Sequence, residues 1–142
     1  LIIRGLRTLD VRLDKHQENA KKVASFLSKH KKVKLLYPFK NRSYNFKMWK
    51  KYYSGASGLM GMTIKAKNKR SVTKFVNSLK LFGYGYSWGG FESLALQQEF
   101  RELGNRNFLR LPKDEHLVRL HIGLEDPKDL IQDLKSSLKF IK

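Results

Sequence analysis

The sequence predicts an α/β domain, in which helices, the first of them long, pack on a short sheet of about four strands. Apolar residues recur at helical spacing in the first 30 residues and again after Pro127. Short apolar runs that end in glycine or proline lie between these segments, as expected for strands. A chain of 142 residues has the size of one domain. We therefore expect a single domain over residues 1–142, in the order helix, strand, strand, helix, strand, strand, helix.

The first predicted element is one long helix over residues 4 to about 30, because no proline interrupts its apolar period. Its expected buried face consists of residues three or four positions apart: Leu6, Leu9, Leu13, Ala20, Val23, Ala24 and Leu27. A short strand over residues 33–37 follows and stops at Pro38. Residues 41–53 predict a long loop with one helical turn, and we expect its aromatic rings to hold it against the domain.

The middle of the chain predicts two further strands around a helix. Residues 57–66 form the first strand, where Gly58 and Gly61 indicate close backbone approach. Ser71 is the expected N-cap of a helix that runs to residue 79. Residues 81–86 are extended and lead into Ser-Trp-Gly-Gly, a pattern typical of a tight turn. Residues 91–104 are predicted to be partly helical, and residues 105–115 to be a polar connector.

The last strand, residues 117–122, presents an arginine on one face. Arg119 shares that face with Leu117 and His121, whereas the alternating positions are all apolar. Asp126 is the expected N-cap and Pro127 the first residue of a closing helix that ends near residue 140. Two interpretations of Arg119 remain open from spacing alone. It either pairs with a carboxylate such as Glu125, or it is a rigidly held fork that binds a ligand carboxylate bidentately.

Composition excludes several classes of site. The chain has no cysteine, so disulfides and thiolate metal sites are impossible, and its four scattered histidines predict no metal centre. No apolar run reaches the roughly 18 residues of a membrane helix, and no glycine-rich phosphate loop is present. The residues next to Lys74 are similar to those around a lysine that binds a cofactor covalently. Lys74 lies on a polar helix face, however, so we predict no such role for it.

The net charge of +18 comes from 30 basic against 12 acidic residues. Most of the basic residues are lysines, so we favour a solvated lysine surface over a nucleic-acid site. Nucleic-acid binding, through the lysine clusters and the aromatic residues 44–53, stays open as an alternative. The chain begins at Leu1 without Met, so we expect it to be a piece of a longer protein.

Four blocks of residues follow one another along nearly the whole chain. They are residues 4–9 (Arg-Gly-Leu-Arg-Thr-Leu) with Arg12, His16 and Asn19; residues 49–51 with 54–59 (Ser-Gly-Ala-Ser-Gly-Leu); residues 79–82 with 86–94 (Tyr-Ser-Trp-Gly-Gly-Phe-Glu-Ser-Leu); and residues 118–126 (Val-Arg-Leu-His-Ile-Gly-Leu-Glu-Asp) with 129–134. In this order they resemble the C-terminal domain of the PLP-dependent trans-sulfuration enzymes, the Cys/Met metabolism family of aspartate aminotransferase-like fold. The residues of these blocks are most similar to those of the bacterial cystathionine β-lyase branch, with the γ-synthase and γ-lyase branches as alternatives.

The resemblance implies specific roles. It implies that Arg119 binds the α-carboxylate of the substrate, and that Ser87 and Trp88 line the same pocket. The reaction would be a lyase step of methionine biosynthesis in the cytoplasm, with cystathionine giving homocysteine, pyruvate and ammonia on pyridoxal 5'-phosphate. In this family the covalent lysine and the cofactor-binding residues belong to an upstream large domain, and the enzymes are homotetramers. Within residues 1–142 we therefore expect no catalytic residue, no bound cofactor and no activity of the chain alone.

Two further expectations come from the resemblance. Residues 38–48 depart from the family pattern of glycine, proline and histidine, so the resemblance assigns no role to that loop. Besides the nucleic-acid alternative, the chain could act as a subunit that complements a separately encoded PLP domain.

Overall fold

The computed structural model describes residues 1–39, 45–98 and 111–141 as an α/β domain. The described helices are α1 (Ile2–Leu6), α2 (Leu9–Leu27), α3 (Phe46–Tyr52), α4 (Lys69–Asn77) and α5 (Pro127–Leu138). The described strands are β1 (Val33–Leu36), β2 (Leu59–Lys65), β3 (Gly83–Tyr84), β4 (Leu94–Gln98) and β5 (Glu115–His121). The α/β class predicted from the sequence is confirmed.

The five described strands form one mixed sheet in the order β1-β2-β5-β4-β3. Neighbouring strands are antiparallel except β3 and β4, which are parallel. The sheet has one strand more than predicted because β4 lies where partly helical structure was expected. Its sequence, Leu-Ala-Leu-Gln-Gln, consists of good helix formers, but pairing with β5 on one side and β3 on the other overrides that weak preference. Residues 99–110, the rest of that predicted segment and most of the connector, lie outside the described residues.

The three longer helices pack on one face of the sheet and form the core with it. The sheet contributes buried apolar side chains at alternating positions: Met60, Met62 and Ile64 from β2, and Val118, Leu120 and Ile122 from β5 and the residue after it. Val23 and Leu27 of α2, Phe75 of α4 and Leu130 and Leu134 of α5 pack against them. This arrangement leaves Arg119 on the opposite face, as the alternation along the strand predicts.

The single long N-terminal helix is divided in two in the structure. α1 ends at Leu6 and α2 begins at Leu9. Leu6, Leu9 and Leu13, predicted to be buried, expose 60%, 39% and 43% of their surface. The prediction of burial is wrong at these positions because, within the described residues, the core contacts begin only at His16, further along α2.

Two element boundaries are also corrected. Asn68, not Ser71, is the N-cap of α4: its side chain accepts a hydrogen bond from the Ser71 N–H. The predicted loop contains the two-turn helix α3, and residues 40–44 of that loop lie outside the described residues. The predicted Asp126 cap and Pro127 start of the last helix are confirmed, since the Asp126 carboxylate accepts from the Lys128 N–H.

Candidate functional site

Arg119 lies in the middle of β5, the central strand of the sheet. It is paired with Gly61 on β2 and with Leu96 on β4. A central strand is held by hydrogen bonds on both sides, so its side chains start from fixed positions. Gly61 contributes no side chain next to the arginine, and the Leu36 side chain lies over this glycine.

The Arg119 guanidinium donates to two main-chain carbonyl oxygens of the segment after β3. Nη1 is 2.6 Å from the oxygen of Tyr86, and Nη2 is 3.0 Å from the oxygen of Ser87. Each Nη carries a second N–H, and Nε carries another. No acceptor among the described residues takes these remaining donors. The fork is thus oriented by backbone and keeps donors for an anion.

Ser87 and Trp88 are placed beside this fork, but as parts of a turn. Ser87 contributes its carbonyl oxygen to Arg119, and its side chain is exposed. Trp88 follows directly and exposes 66% of its surface. The next residue, Gly89, has a φ of 78°, which a side chain would strain, so the glycine expected at a tight turn is required here. The structure therefore brings the three predicted site residues together.

The pairing of Arg119 with Glu125 is excluded by the geometry. The Glu125 carboxylate instead accepts from the Ser93 N–H at 2.7 Å and from the Ser93 hydroxyl at 2.8 Å. The Ser93 oxygen in turn accepts from the Gly123 N–H at 2.8 Å. Asn19 of α2 donates to the carbonyl oxygens of Gly123 and Glu125. This network holds the exit of β5 and uses both carboxylate oxygens of Glu125.

His121 belongs to the same surroundings, although the sequence analysis assigned it no role. Its Nε2 lies 3.1 Å from the Gly89 nitrogen, so neutral Nε2 accepts from that N–H. Burial lowers the pKa of His121 below 6.5, and the His16 and Arg119 charges lower it further. The signal that could have found it is the strand alternation, because positions 119 and 121 share one face.

An open cleft of about 450 Å³ adjoins Arg119. Its other lining residues are Leu36, Leu59, Met60, Gly61, Gln98 and Leu117. Ser87 and Trp88 do not line this cleft, and two larger clefts, of about 600 and 700 Å³, include none of Arg119, Ser87 and Trp88. A mostly apolar wall with one guanidinium suits a ligand that has a carboxylate and an aliphatic chain.

The remaining sequence predictions concern residues away from this site. Trp49 packs its ring edge-on against Phe39 at 4.6 Å between centroids, so it holds α3 against the domain as expected. Tyr52 and Tyr53, from which the same was expected, expose 64% and 66% of their surface. Lys74 is exposed and lies over the Phe140 ring, not in a pocket. Within the described residues no three histidine or acidic side chains cluster as metal ligands would. In the same part of the chain, no helix has the length and apolar character needed to cross a bilayer.

Comparison with known proteins places this geometry in a family. Residues 1–139 match the family described as Cys/Met metabolism PLP-dependent enzyme. Cystathionine beta-lyase MetC of Escherichia coli (strain K12) is 40% identical over 139 residues, which cover 92% of this chain and 34% of the relative. L-alanine/L-glutamate racemase of Wolbachia pipientis wMel is 39% identical over 137 residues, covering 95% of this chain and 34% of the relative.

A solved structure shows the same fold. Cystathionine gamma synthase from Xanthomonas oryzae pv. oryzae, in complex with aminoacrylate and cysteine, matches with a TM-score of 0.82 and 30% identity. The match covers 96% of this chain and 36% of that chain. The chain thus spans about a third of the length of the relatives it matches. The chain belongs to the Cys/Met metabolism family of PLP-dependent enzymes.

Proposed function

We propose that this chain forms the C-terminal part of a carbon–sulfur lyase that cleaves cystathionine to homocysteine, pyruvate and ammonia, and that its task is to bind the substrate's α-carboxylate. The observation that carries the proposal is the Arg119 fork, oriented by the carbonyl oxygens of Tyr86 and Ser87 with donors to spare. Two parallel N–H groups match the two oxygens of a carboxylate. Ser87 and Trp88 would border the bound carboxylate.

The described cleft fits the carboxylate end of an amino acid and does not fit the cofactor. PLP needs a lysine for its covalent bond and commonly an acidic partner for its ring nitrogen. The described residues that line the cleft include neither a lysine nor a carboxylate. We therefore assign cofactor binding and bond cleavage to the rest of the enzyme, and we expect residues 1–142 alone to bind no PLP and to have no lyase activity.

The exposed apolar residues of α1 and the start of α2 support a missing neighbour. Ile2, Ile3 and Val11 expose 82%, 69% and 71% of their surface. Large apolar side chains exposed on two helices that contact each other are typical of an interface. We propose that a large PLP domain covers it, either in the same polypeptide or as a separate subunit, in a homotetramer in the cytoplasm.

The direct test is a chimera in which this chain replaces the matching third of the E. coli cystathionine β-lyase. We expect the chimera to release pyruvate from cystathionine. Arg119→Lys should lower kcat/KM roughly 30- to 1,000-fold, a loss of about 2–4 kcal/mol of transition-state stabilisation, because a lysine cannot bind a carboxylate bidentately. Arg70→Lys, at an exposed position of α4, is the matched control and should leave kcat/KM unchanged.

Two outcomes would contradict the proposal. A chimera that folds and binds PLP but racemises alanine or glutamate without releasing pyruvate would move the chain to the activity named for the Wolbachia relative. Unchanged turnover in Arg119→Lys would remove the role assigned to the arginine.

One structural observation supports a second candidate, nucleic-acid binding. The Lys65 N–H donates to the Lys32 carbonyl oxygen at 2.8 Å, so two lysine clusters of the sequence, residues 29–34 and 65–70, meet at one edge of the sheet. A salt titration with a generic DNA duplex tests it. Binding near physiological salt that weakens steeply as salt rises would support this function, and binding only at very low salt would exclude it.

A further inference from the structure

Two side chains of β5 hold the turn that carries Trp88. Arg119 binds the carbonyl oxygens of Tyr86 and Ser87, and His121, two residues on and on the same face, binds Gly89. The four residues from Tyr86 to Gly89 are therefore attached to the central strand at both ends. Trp88 itself is exposed, so these attachments, not burial, set its position.

The contact made by His121 depends on its protonation state. Nε2 can accept from the Gly89 N–H only when it carries no proton. A protonated ring has N–H groups at both nitrogens. Its Nε2–H could then donate only to the Gly90 carbonyl oxygen, 3.3 Å away, and the Gly89 N–H would lose its acceptor. Protonation would thus exchange one backbone contact of the turn for another.

The surroundings of His121 favour the neutral ring. The side chain is 2% exposed, and a buried ring disfavours the charge of the protonated form. Nδ1 is buried without a partner among the described residues, but it carries a proton both in this neutral tautomer and in the protonated ring, so it does not distinguish the two. His16 of α2 lies against the ring with 5.1 Å between ring centroids, and the Arg119 charge lies on the same strand. Two groups among the described residues act the other way and raise the pKa of His121: the Gly90 carbonyl oxygen and Glu92, the one acidic group acting on the ring. Each has a smaller effect than burial. The flanking strand residues Leu59 and Leu94 are apolar.

We propose that neutral His121 is a positioning residue, which holds the Ser87–Trp88 turn against Arg119 through the Gly89 N–H, and that carboxylate binding requires this neutral state. The second half rests on the proposed function, because it takes Arg119 as the carboxylate site. The first half concerns this chain alone and can be measured without substrate.

The test is NMR of the full chain between pH 5 and 8. Long-range ¹⁵N correlations identify the protonated nitrogen of His121, and the Gly89 amide resonance reports its hydrogen bond. We expect an unprotonated Nε2 at pH 8, and a Gly89 shift that titrates with the same midpoint as His121. His121→Gln keeps an acceptor that does not titrate, so the Gly89 shift should become flat with pH. His121→Leu should speed exchange of the Gly89 amide with water roughly tenfold at pH 8, where wild-type His121 is neutral, and by less as the pH falls and wild-type His121 is protonated.

His116→Gln, at the other end of β5, is the matched control and should leave the Gly89 titration unchanged. A Gly89 shift that does not follow His121, or a protonated Nε2 at pH 8, would overturn the proposal. If His121→Leu does not fold, the comparison of the wild type with His121→Gln still decides. Because carboxylate binding requires neutral His121, kcat/KM of the chimera should fall as the pH is lowered. This acid limb of the pH profile should disappear in His121→Gln. An acid limb unaltered in that variant overturns the second half alone, whereas a chimera without lyase activity counts against the proposed function and leaves the NMR result standing.

Discussion

Arg119 shows how one residue is assigned by its contacts. Spacing alone favours a carboxylate partner for Arg119, whereas the family resemblance implies a carboxylate ligand. Among the residues that the structure describes, Arg119 has no carboxylate partner, and Glu125 is engaged by Ser93. The Arg119 guanidinium donates to two carbonyl oxygens, which orient it without neutralising its charge.

Ser93 tests the network that holds the exit of β5. Ser93 is fully buried, and its hydroxyl connects Glu125 to the Gly123 N–H. Ser93→Ala should lower the free energy of unfolding by about 1–3 kcal/mol, because it leaves the buried Gly123 N–H without an acceptor and removes one hydrogen bond of the half-buried Glu125. Urea denaturation measures this, with the exposed Ser136→Ala as control. Equal stability of both variants would show that the network contributes nothing.

The pKa of His121 predicts a pH dependence of stability. Its pKa is lowered by burial in the fold, so below 6.5 the unfolded chain binds more protons than the folded one. Its contribution to the free energy of unfolding is therefore complete above pH 6.5, and is lost as the pH falls from there through the folded pKa. Urea denaturation from pH 8 to pH 5 should show this loss in the wild type and a smaller one in His121→Gln. A larger loss in the variant would contradict the assignment.

At the scale of elements, caps decide where helices begin. Asn68 and Ser71 are both good cap residues in the sequence, and only the structure shows that the Asn68 oxygen accepts from the Ser71 N–H. For the last helix the sequence offers one start, because Asp126 is a good N-cap and Pro127 directly after it suits the first helical position.

Asn68→Ala should therefore destabilise the domain by about 0.5–2 kcal/mol, the usual loss for an N-cap. Ser71→Ala, within the first turn of α4, should destabilise it by less, since its hydroxyl adds one exposed contact to Asn68. Thermal unfolding followed by circular dichroism compares the two variants. A greater loss of stability in Ser71→Ala than in Asn68→Ala would show that Ser71 is the N-cap, as first predicted.

At the scale of the whole molecule, the exposed apolar residues of α1 matter more for association than for folding. Ile2→Ser, Ile3→Ser and Leu6→Ser together should leave the free energy of unfolding nearly unchanged, because these side chains are exposed by 82%, 69% and 60%. The same variant should reduce concentration-dependent light scattering. Leu27→Ser, at a fully buried leucine, should instead lose roughly 3 kcal/mol or more. Unchanged scattering in the triple variant would mean that this surface does not associate.

The sequence by itself determined the α/β class, the face on which Arg119 lies, the final helix with its cap, and the family. The first three features are local, because alternation along a strand, helical period and cap residues act over a few positions, whereas the family follows from blocks of residues in order along the chain. Only the tertiary structure decided that β4 is a strand, that Leu6, Leu9 and Leu13 are uncovered, and that Arg119 and His121 hold the same turn. Each of these depends on contacts between residues distant along the chain, such as β4 with β5 or Gly89 with His121, and local preference does not determine such contacts.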